Sequence, residues 1–347
     1  MRKKLLEWYD VNQRDLPWRK TRNPYQIWVS EIILQQTQII TGTKYYHRFI
    51  KKFPNIRSLA KAEDVDVLKI WEGLGYYNRA LNMLNSAKII LNQYGGLFPV
   101  NYSELIQLKG IGPYTAAAIS SICKNEQKAV VDGNVYRVLS RFFNIETPIN
   151  TSNGRKQFQN IANTLVPREN PGRYNQAIMD FGAIHCKKHN PECQSCPLKK
   201  NCLSHKFKLI NLRPVVNKSR KNKTRYFNFL FISDTKNFLI HQRDNNGIWK
   251  KLYQLPLIES QKKISKTELL KNDYLKNLED SHVEWKYNMN HKLSHQNLKI
   301  SFWHIHVRKL MLKDDFQKIT LIDVKKHPFP KPLQKYFHKE HRINTKI

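Results

Sequence analysis

Residues 108–137, LKGIGPYTAAAISSICKNEQKAVVDGNVYR, join a glycine hairpin, a small-residue helix and a single acid. The hairpin is Leu108-Lys109-Gly110-Ile111-Gly112-Pro113-Tyr114-Thr115, and the helix continues through Ala116-Ala117-Ala118-Ile119. Gly110 and Gly112 permit backbone geometry that a residue with a Cβ resists. They stand just before a helix start, where unpaired N–H groups and the helix dipole attract a phosphate. Asp132 then opens Gly133-Asn134-Val135-Tyr136-Arg137. An anion grip followed by a carboxylate points to a protein that holds nucleic acid and acts on it.

The composition agrees. At 347 residues the chain has room for about two domains and a sizeable core. Hydrophobic residues at 40% and aromatics at 11% make it a folding sequence. Sixty Lys and Arg against 27 Asp and Glu give a formal charge of +33. Such an excess favours a polyanionic partner through counterion release and steering; a lysine-rich background is its other source. The start, Met1-Arg2-Lys3-Lys4-Leu5-Leu6-Glu7-Trp8, is basic but has no apolar h-region, so no signal peptide is expected. No run approaches the ~20 apolar residues of a membrane span. The expected location is cytoplasmic, where thiols stay reduced.

The texture changes once along the chain. To about residue 206, apolar residues recur at helical spacing, as in Ile27-Trp28, Ile32-Ile33-Leu34, Tyr45-Tyr46 with Phe49-Ile50, and Val65, Leu68, Ile70, Trp71. Pro24, Pro54-Asn55 and Gly95-Gly96 mark helix boundaries. Residues 80–91 and 154–165 read as further helices. Residues 206–224 contain Pro214 and the basic run Lys218-Ser219-Arg220-Lys221-Asn222-Lys223, which reads as a linker. Beyond it, Tyr226–Ile232, Phe238–Gln242 and Leu298–Val307 read as strands, and Ser265–Leu278 and Pro332–His338 as helices. The expectation is a mainly α region at 1–205 and an α+β domain at 225–347.

Four of the five cysteines fall within Cys186-x6-Cys193-x2-Cys196-x5-Cys202. Such clustering points to metal and away from disulfides, and four thiolates suit either tetrahedral zinc or an iron–sulfur cluster. Cys123, in an apolar helix, reads as a small buried hydrophobe.

The cysteine spacing, the hairpin and the following Asp132 resemble the helix-hairpin-helix DNA glycosylase superfamily, which carries a [4Fe–4S] cluster at this spacing. That resemblance turns the metal assignment to one iron–sulfur cluster per chain. Within the superfamily, endonuclease III-like enzymes place a Schiff-base lysine just before the hairpin threonine; here the position is Tyr114, and a phenol forms no imine. Trp28-Val29-Ser30-Glu31-Ile32-Ile33-Leu34-Gln35-Gln36-Thr37-Gln38 is similar instead to the signature of MutY-type adenine DNA glycosylases. Leu16-Pro17-Trp18-Arg19, Gly73-Leu74-Gly75-Tyr76-Tyr77-Asn78-Arg79 and Asn175-Gln176-Ala177-Ile178-Met179-Asp180-Phe181-Gly182-Ala183 resemble that branch too. The resemblance runs from about Leu5 to Cys202.

It implies hydrolysis of the N-glycosidic bond of adenine opposite 8-oxoguanine or guanine in double-stranded DNA, by a monomer in the bacterial-type cytoplasm, associated with the nucleoid. Cleaving that bond needs a protonated acid for the leaving base and an ionised carboxylate for the cationic sugar. By resemblance Glu31 is the acid and Asp132 the carboxylate, with Tyr114 and Asn134 orienting them. Burial in the SEIIL helix would raise the pKa of Glu31, and backbone N–H groups would hold Asp132 ionised. A surface ion pair and a helix N-cap are the other uses of these two residues. Trp18, Arg19, Leu34 and Gln176 match base-pocket residues. Gln35, at i+4 from Glu31, Gln36 and Tyr76 match residues that intercalate or contact DNA, alongside Gly110 and Gly112. Core packing is the other reading of Trp18 and Tyr76.

The C-terminal domain resembles the nucleotide hydrolase (Nudix) fold, without a REXXEE-like magnesium helix. Leu293-Ser294-His295 stands where the family reads 8-oxoguanine with Phe-Ser-His, so Ser294 and His295 are the expected lesion contacts. An endonuclease III-like lyase and a non-catalytic DNA-binding module are the alternative functions.

Overall fold

The computed structural model describes residues 1–217, 222–272, 275, 282–312 and 315–343. Lys218 to Lys221 of the basic run, and most of the C-terminal half of the helix expected at 265–278, lie outside the described residues. The chain divides into one unit of Met1–Lys61 with Asn82–Ser219 and another of Ala62–Leu81 with Arg220–Ile347.

The first unit is helical. Its main helices are Arg2–Asn12, Pro24–Leu34, Ile39–Lys52, Pro113–Cys123, Gly133–Phe143, Ser152–Leu165 and Pro171–Asp180, the last running into a π turn at Phe181–His185. Pro24, Pro113 and Pro171 each open a helix, where a missing N–H leaves no bond unmade. Leu5, Ala118, Val135, Leu139, Phe158, Ala177 and Phe181 share one core. Ala116, Ala117 and Ala118 are buried because small side chains let neighbouring helices come close. Gly172 does the same from the other side. A Cβ there would lie 2.7 Å from both Ile122 Cα and Ser121 O, so Pro171–Asp180 packs on Pro113–Cys123 at backbone distance.

Residues 210–217, expected as linker, are fastened to this unit. Buried Arg141 has only donors to satisfy, and its Nε bonds the carbonyls of Ile210 and Arg213. Ile149 N donates to Val215 O, and buried Arg213 pairs with Glu146.

The second unit contains a sheet of strands β1 (Lys223–Ser233), β2 (Phe238–Gln242), β3 (Tyr253–Gln254), β4 (Leu257–Ser260), β5 (His282–Lys292), β6 (Gln296–His306) and β7 (Phe316–Ile319). The order is β3-β2-β1-β6-β5, with β4 also paired to β1 and β7 to β2. Long parallel pairing of β1 with β6 explains the continuous apolar run Phe227 to Ile232, apart from Asn228: a central strand is buried on both faces. Asn228 is satisfied by donating to Ile258 O. β5 escapes a reading by alternation because its sequence, HVEWKYNMNHK, is charged on an exposed edge and bulged between Trp285 and Tyr287. The helix Lys331–His341 covers the sheet, with Tyr336 stacked on Phe302 at 4.6 Å. Lys266–Leu270 of the expected 265–278 helix forms a helix, opened by a Ser265–Glu268 capping box, and Leu275 is helical too. Residues 62–81 belong here as well: Lys69 and Glu72 form a buried pair at 2.9 Å, and Glu72 Oε1 accepts from Phe329 N.

Gly172→Ala should lower unfolding stability by about 1–3 kcal/mol, because the added methyl meets backbone on the facing helix. Thermal or urea unfolding checks this; wild-type stability would show that the two helices separate easily.

Candidate active site

Five short stretches bring one polar group set together. Glu31 lies in the last turn of Pro24–Leu34, between buried Ile32 and Ile33 on one side and Ser30 on the other. Tyr114 begins the helix Pro113–Cys123, Asp132 caps Gly133–Phe143, Gln176 and Met179 come from Pro171–Asp180, and Trp18 and Arg19 sit in a 3-10 turn at Pro17–Arg19. All of these, with Arg14, Leu34, Gln35, Gln36, Ile122 and Asn134, line one cavity of about 600 Å³.

Burial pushes the Glu31 carboxyl up to about 6, opposed by the Tyr114 hydroxyl and the Arg19 guanidinium, while the Asp132 charge adds to the rise. Tyr114 moves well above the ordinary phenol range, first through burial and then through Glu31 and Asp132, so it stays neutral. Its hydroxyl also reaches Met179 Sδ at 3.2 Å. Asp132 Oδ1 accepts from the N–H groups of Asn134 (2.9 Å) and Val135 (2.8 Å), and Oδ2 from Asn134 Nδ2 (2.8 Å). These donors were expected to hold it ionised. Burial outweighs them, however, and the net shift of Asp132 is upward. Asn134 is itself fixed: Arg137 Nη2 donates to its Oδ1 at 2.8 Å, which leaves its amide nitrogen for Asp132. Gly182 packs so closely that a Cβ would lie 2.6 Å from Asn134 Cβ.

Several expectations change in detail. The helix ends at Leu34, so Gln35 does not stand one turn above Glu31; it caps the helix, and Gln36 turns the chain with φ +56°. Both still line the cavity. Gly110 has the left-handed φ (+85°) and touches Asn82, but Gly112 has φ −90° in extended backbone that other residues adopt, so only Gly110 is demanded by conformation. Trp18 is both core and pocket: it is buried edge-on to Tyr46 while forming part of the wall. Tyr76 belongs to the second unit, half exposed on a turn with φ +49°. Ser294 and His295 are exposed at the β5–β6 turn, where Leu293 N bonds Gln296 O. Leu293 packs against the sheet core as an apolar residue should. Cys123 is half-buried, and burial pushes its thiol to about 12.

Cys186, Cys193, Cys196 and Cys202 border a single void of about 30 Å³ with His185, Pro191 and Ile210. Among the described residues no three His, Cys, Asp or Glu side chains converge as ligands of one metal ion. The four thiols border the same void, and four thiolates suit either tetrahedral zinc or an iron–sulfur cluster. Arg141 Nη1 lies 3.4 Å from Cys186 Sγ, and bonds Lys187 O at 2.7 Å. Cationic donors of this kind stabilise anionic sulfur.

Sequence reasoning assigned no role to Tyr9, Arg14, Met179 and Asp180. The spacing of Gln176, Met179 and Asp180 was the available signal, since i, i+3 and i+4 share a helix face; nothing comparable marked Arg14.

Residues 29–167 match the model of the HhH-GPD superfamily of base excision DNA repair proteins, and residues 228–339 that of the NUDIX domain. An adenine DNA glycosylase of Buchnera aphidicola subsp. Baizongia pistaciae is 36% identical over 98% of this chain and 97% of its own. The chain belongs to the adenine DNA glycosylase family. A second member, from Buchnera aphidicola subsp. Acyrthosiphon pisum, is 40% identical over 73% of this chain and 72% of its own length. Among solved structures, a thermostable thymine-DNA glycosylase is 32% identical with a TM-score of 0.55, covering 59% of this chain and 94% of that one. No described helix is long and apolar enough to cross a membrane.

Asp132 has a structural as well as an electrostatic place, and two variants part them. Asp132→Asn keeps an N-cap and should retain stability, whereas Asp132→Ala should lose about 1 kcal/mol. Both should lose turnover by roughly 10²-fold or more. Parallel unfolding and activity measurements check this; an active Asp132→Asn would leave Asp132 a cap alone.

Proposed function

We propose that this chain is a monofunctional adenine DNA glycosylase of base excision repair. Its substrate is adenine paired with 8-oxoguanine, or with guanine, in double-stranded DNA. The facing of Glu31, Tyr114 and Asp132 across one cavity supports this reading most directly.

Near pH 7 a carboxyl with a pKa of about 6 is protonated in roughly one molecule in ten, enough for a general acid. Glu31 gives its proton to adenine N7 as the C1′–N9 bond breaks and its electron pair leaves with the base. Asp132 faces the cationic sugar and stabilises or traps it. Water then adds to C1′ and passes its proton to the Glu31 carboxylate. Tyr114 donates from a neutral hydroxyl and Asn134 orients Asp132. Tyr114 offers no amine, so the reaction ends at base release without a Schiff-base strand cut.

The base must leave the stack to enter. Trp18, Arg19, Leu34 and Gln176 form its pocket; Gln35, Gln36 and Tyr76 fill or flank the gap it leaves. The Gly110–Gly112 hairpin and the helix start behind it, which has no side-chain cap, hold a phosphate. Cys186, Cys193, Cys196 and Cys202 would hold one [4Fe–4S] cluster, which when bound cross-links its loop and supplies a redox-active centre. We assign catalysis to residues 1–205, the basic connection between domains to 206–224, with its 210–217 stretch anchored on the helical unit, and lesion recognition to 225–347, with Ser294 and His295 reading 8-oxoguanine. Residues 247–278 carry no REXXEE-like set of glutamates, so we assign this domain to binding and not to hydrolysis. The protein acts as a monomer in the cytoplasm, at the nucleoid.

Duplexes carrying A:8-oxoguanine or thymine glycol test the reading, with and without alkali. Adenine release with strand breakage only after alkali is expected. Direct breakage at thymine glycol would contradict it in favour of a lyase. Glu31→Gln should still bind the mispair and release adenine at least ~10²-fold more slowly; normal turnover would remove Glu31 from the chemistry.

A further inference from the structure

Arg14, Arg19 and Gln176 of the cavity wall are joined by Tyr9 and Asp180, to which the chemistry above gives no role, into one chain of polar groups. Asp180 is fully buried and accepts at Oδ1 from Arg14 Nη2 (2.6 Å) and Arg19 Nη2 (2.8 Å) and at Oδ2 from Arg14 N (3.1 Å). Arg19 Nη1 donates in turn to the Tyr9 hydroxyl at 2.6 Å. The Tyr9 hydroxyl lies 3.3 Å from Gln176 Oε1. Gln176 is the last member and lines the cavity.

The donor and acceptor types give this chain one direction. A carboxylate accepts only, so both guanidiniums point hydrogens at Asp180. A guanidinium donates only, so Tyr9 oxygen accepts from Arg19. Its single proton then needs an acceptor, and among the described residues Gln176 Oε1 is the one within reach. A buried hydroxyl is costly to leave unpaired. The Gln176 amide is thereby oriented, oxygen toward Tyr9 and NH2 away from it. Among the described residues that NH2 makes no hydrogen bond within the protein.

We infer that Asp180, Arg19 and Tyr9 act as a relay that fixes the Gln176 amide with its NH2 facing the base pocket, selecting a base that offers a ring-nitrogen lone pair there. Tyr9 and Asp180 are positioning residues, acting through Gln176. This inference rests on the glycosylase reading and adds to it the polarity of one pocket contact. A freely turning amide would donate to a lone pair or accept from an N–H alike; a fixed one discriminates.

The test uses duplexes with adenine, 1-deazaadenine or 3-deazaadenine opposite 8-oxoguanine. Each analogue lacks one ring lone pair but keeps N7. For the wild type, one of the two should be released about tenfold or more slowly than adenine, beyond any penalty in the variants. Tyr9→Phe keeps the ring in the core and removes the hydroxyl, so that penalty should fall to about threefold or less. Intrinsic lability of the analogue cancels in the ratio between proteins. Gln176→Met, which leaves Tyr9 intact, should flatten it too, so an unfolded Tyr9→Phe protein would not spare the idea. An unchanged penalty in the folded variants, or none in the wild type, overturns the relay while leaving adenine release intact. Absence of adenine release from every duplex by the wild type would instead overturn the glycosylase reading.

Discussion

Desolvation of Glu31 is the constraint on which the site depends. A carboxyl in open water at neutral pH has almost no proton to give. Burial at the end of Pro24–Leu34 raises its pKa to about 6 without removing its ability to ionise. The rise is limited by Tyr114 and Arg19, which pull the other way, and the neighbouring acid Asp132 reinforces it. A stronger counter-charge would keep Glu31 ionised, and deeper isolation would leave it permanently protonated.

Much of the first unit keeps those groups in place. The proline-started helices give fixed entry points for Glu31, Tyr114 and Gln176. Gly172 and the Ala116–Ala118 run bring two of these helices to backbone distance, and Gly182 lets the π turn close on Asn134. Asp132 shows how economical the arrangement is. The same oxygen that caps Gly133–Phe143 is held where a cation can approach it, so helix formation and electrostatic placement use the same hydrogen bonds.

The helical unit was legible in the sequence where apolar spacing coincided with punctuation. Pro24 and Pro113 stand at observed helix starts, and the strands at 226–232 and 238–242 lie where β-branched and aromatic runs put them. Motif resemblance located Glu31, Tyr114 and Asp132, which now share a cavity. Other features were hidden for physical reasons. β5 is an edge strand whose charges face solvent, so it carries no alternation. The end of the Glu31 helix was placed too late because Gln35 and Gln36 are themselves good helix formers. The anchoring of residues 210–217 was hidden as well, since it comes from the distant Arg141 and not from local pattern. Asp180 matters through residues far away in sequence, Arg14 and Arg19, and no local window contains both sides of that contact.

The proposed chemistry needs a carboxyl poised near neutrality, and its titration can be measured in the free protein. Carbon-13 NMR of glutamate-labelled protein, with the Glu31 signal assigned through Glu31→Gln, gives its titration midpoint directly. A midpoint near pH 6, well above that of ordinary exposed glutamates, is the predicted result. A midpoint at or below about 4.5 would mean that burial does not govern Glu31, and would contradict its place as the acid.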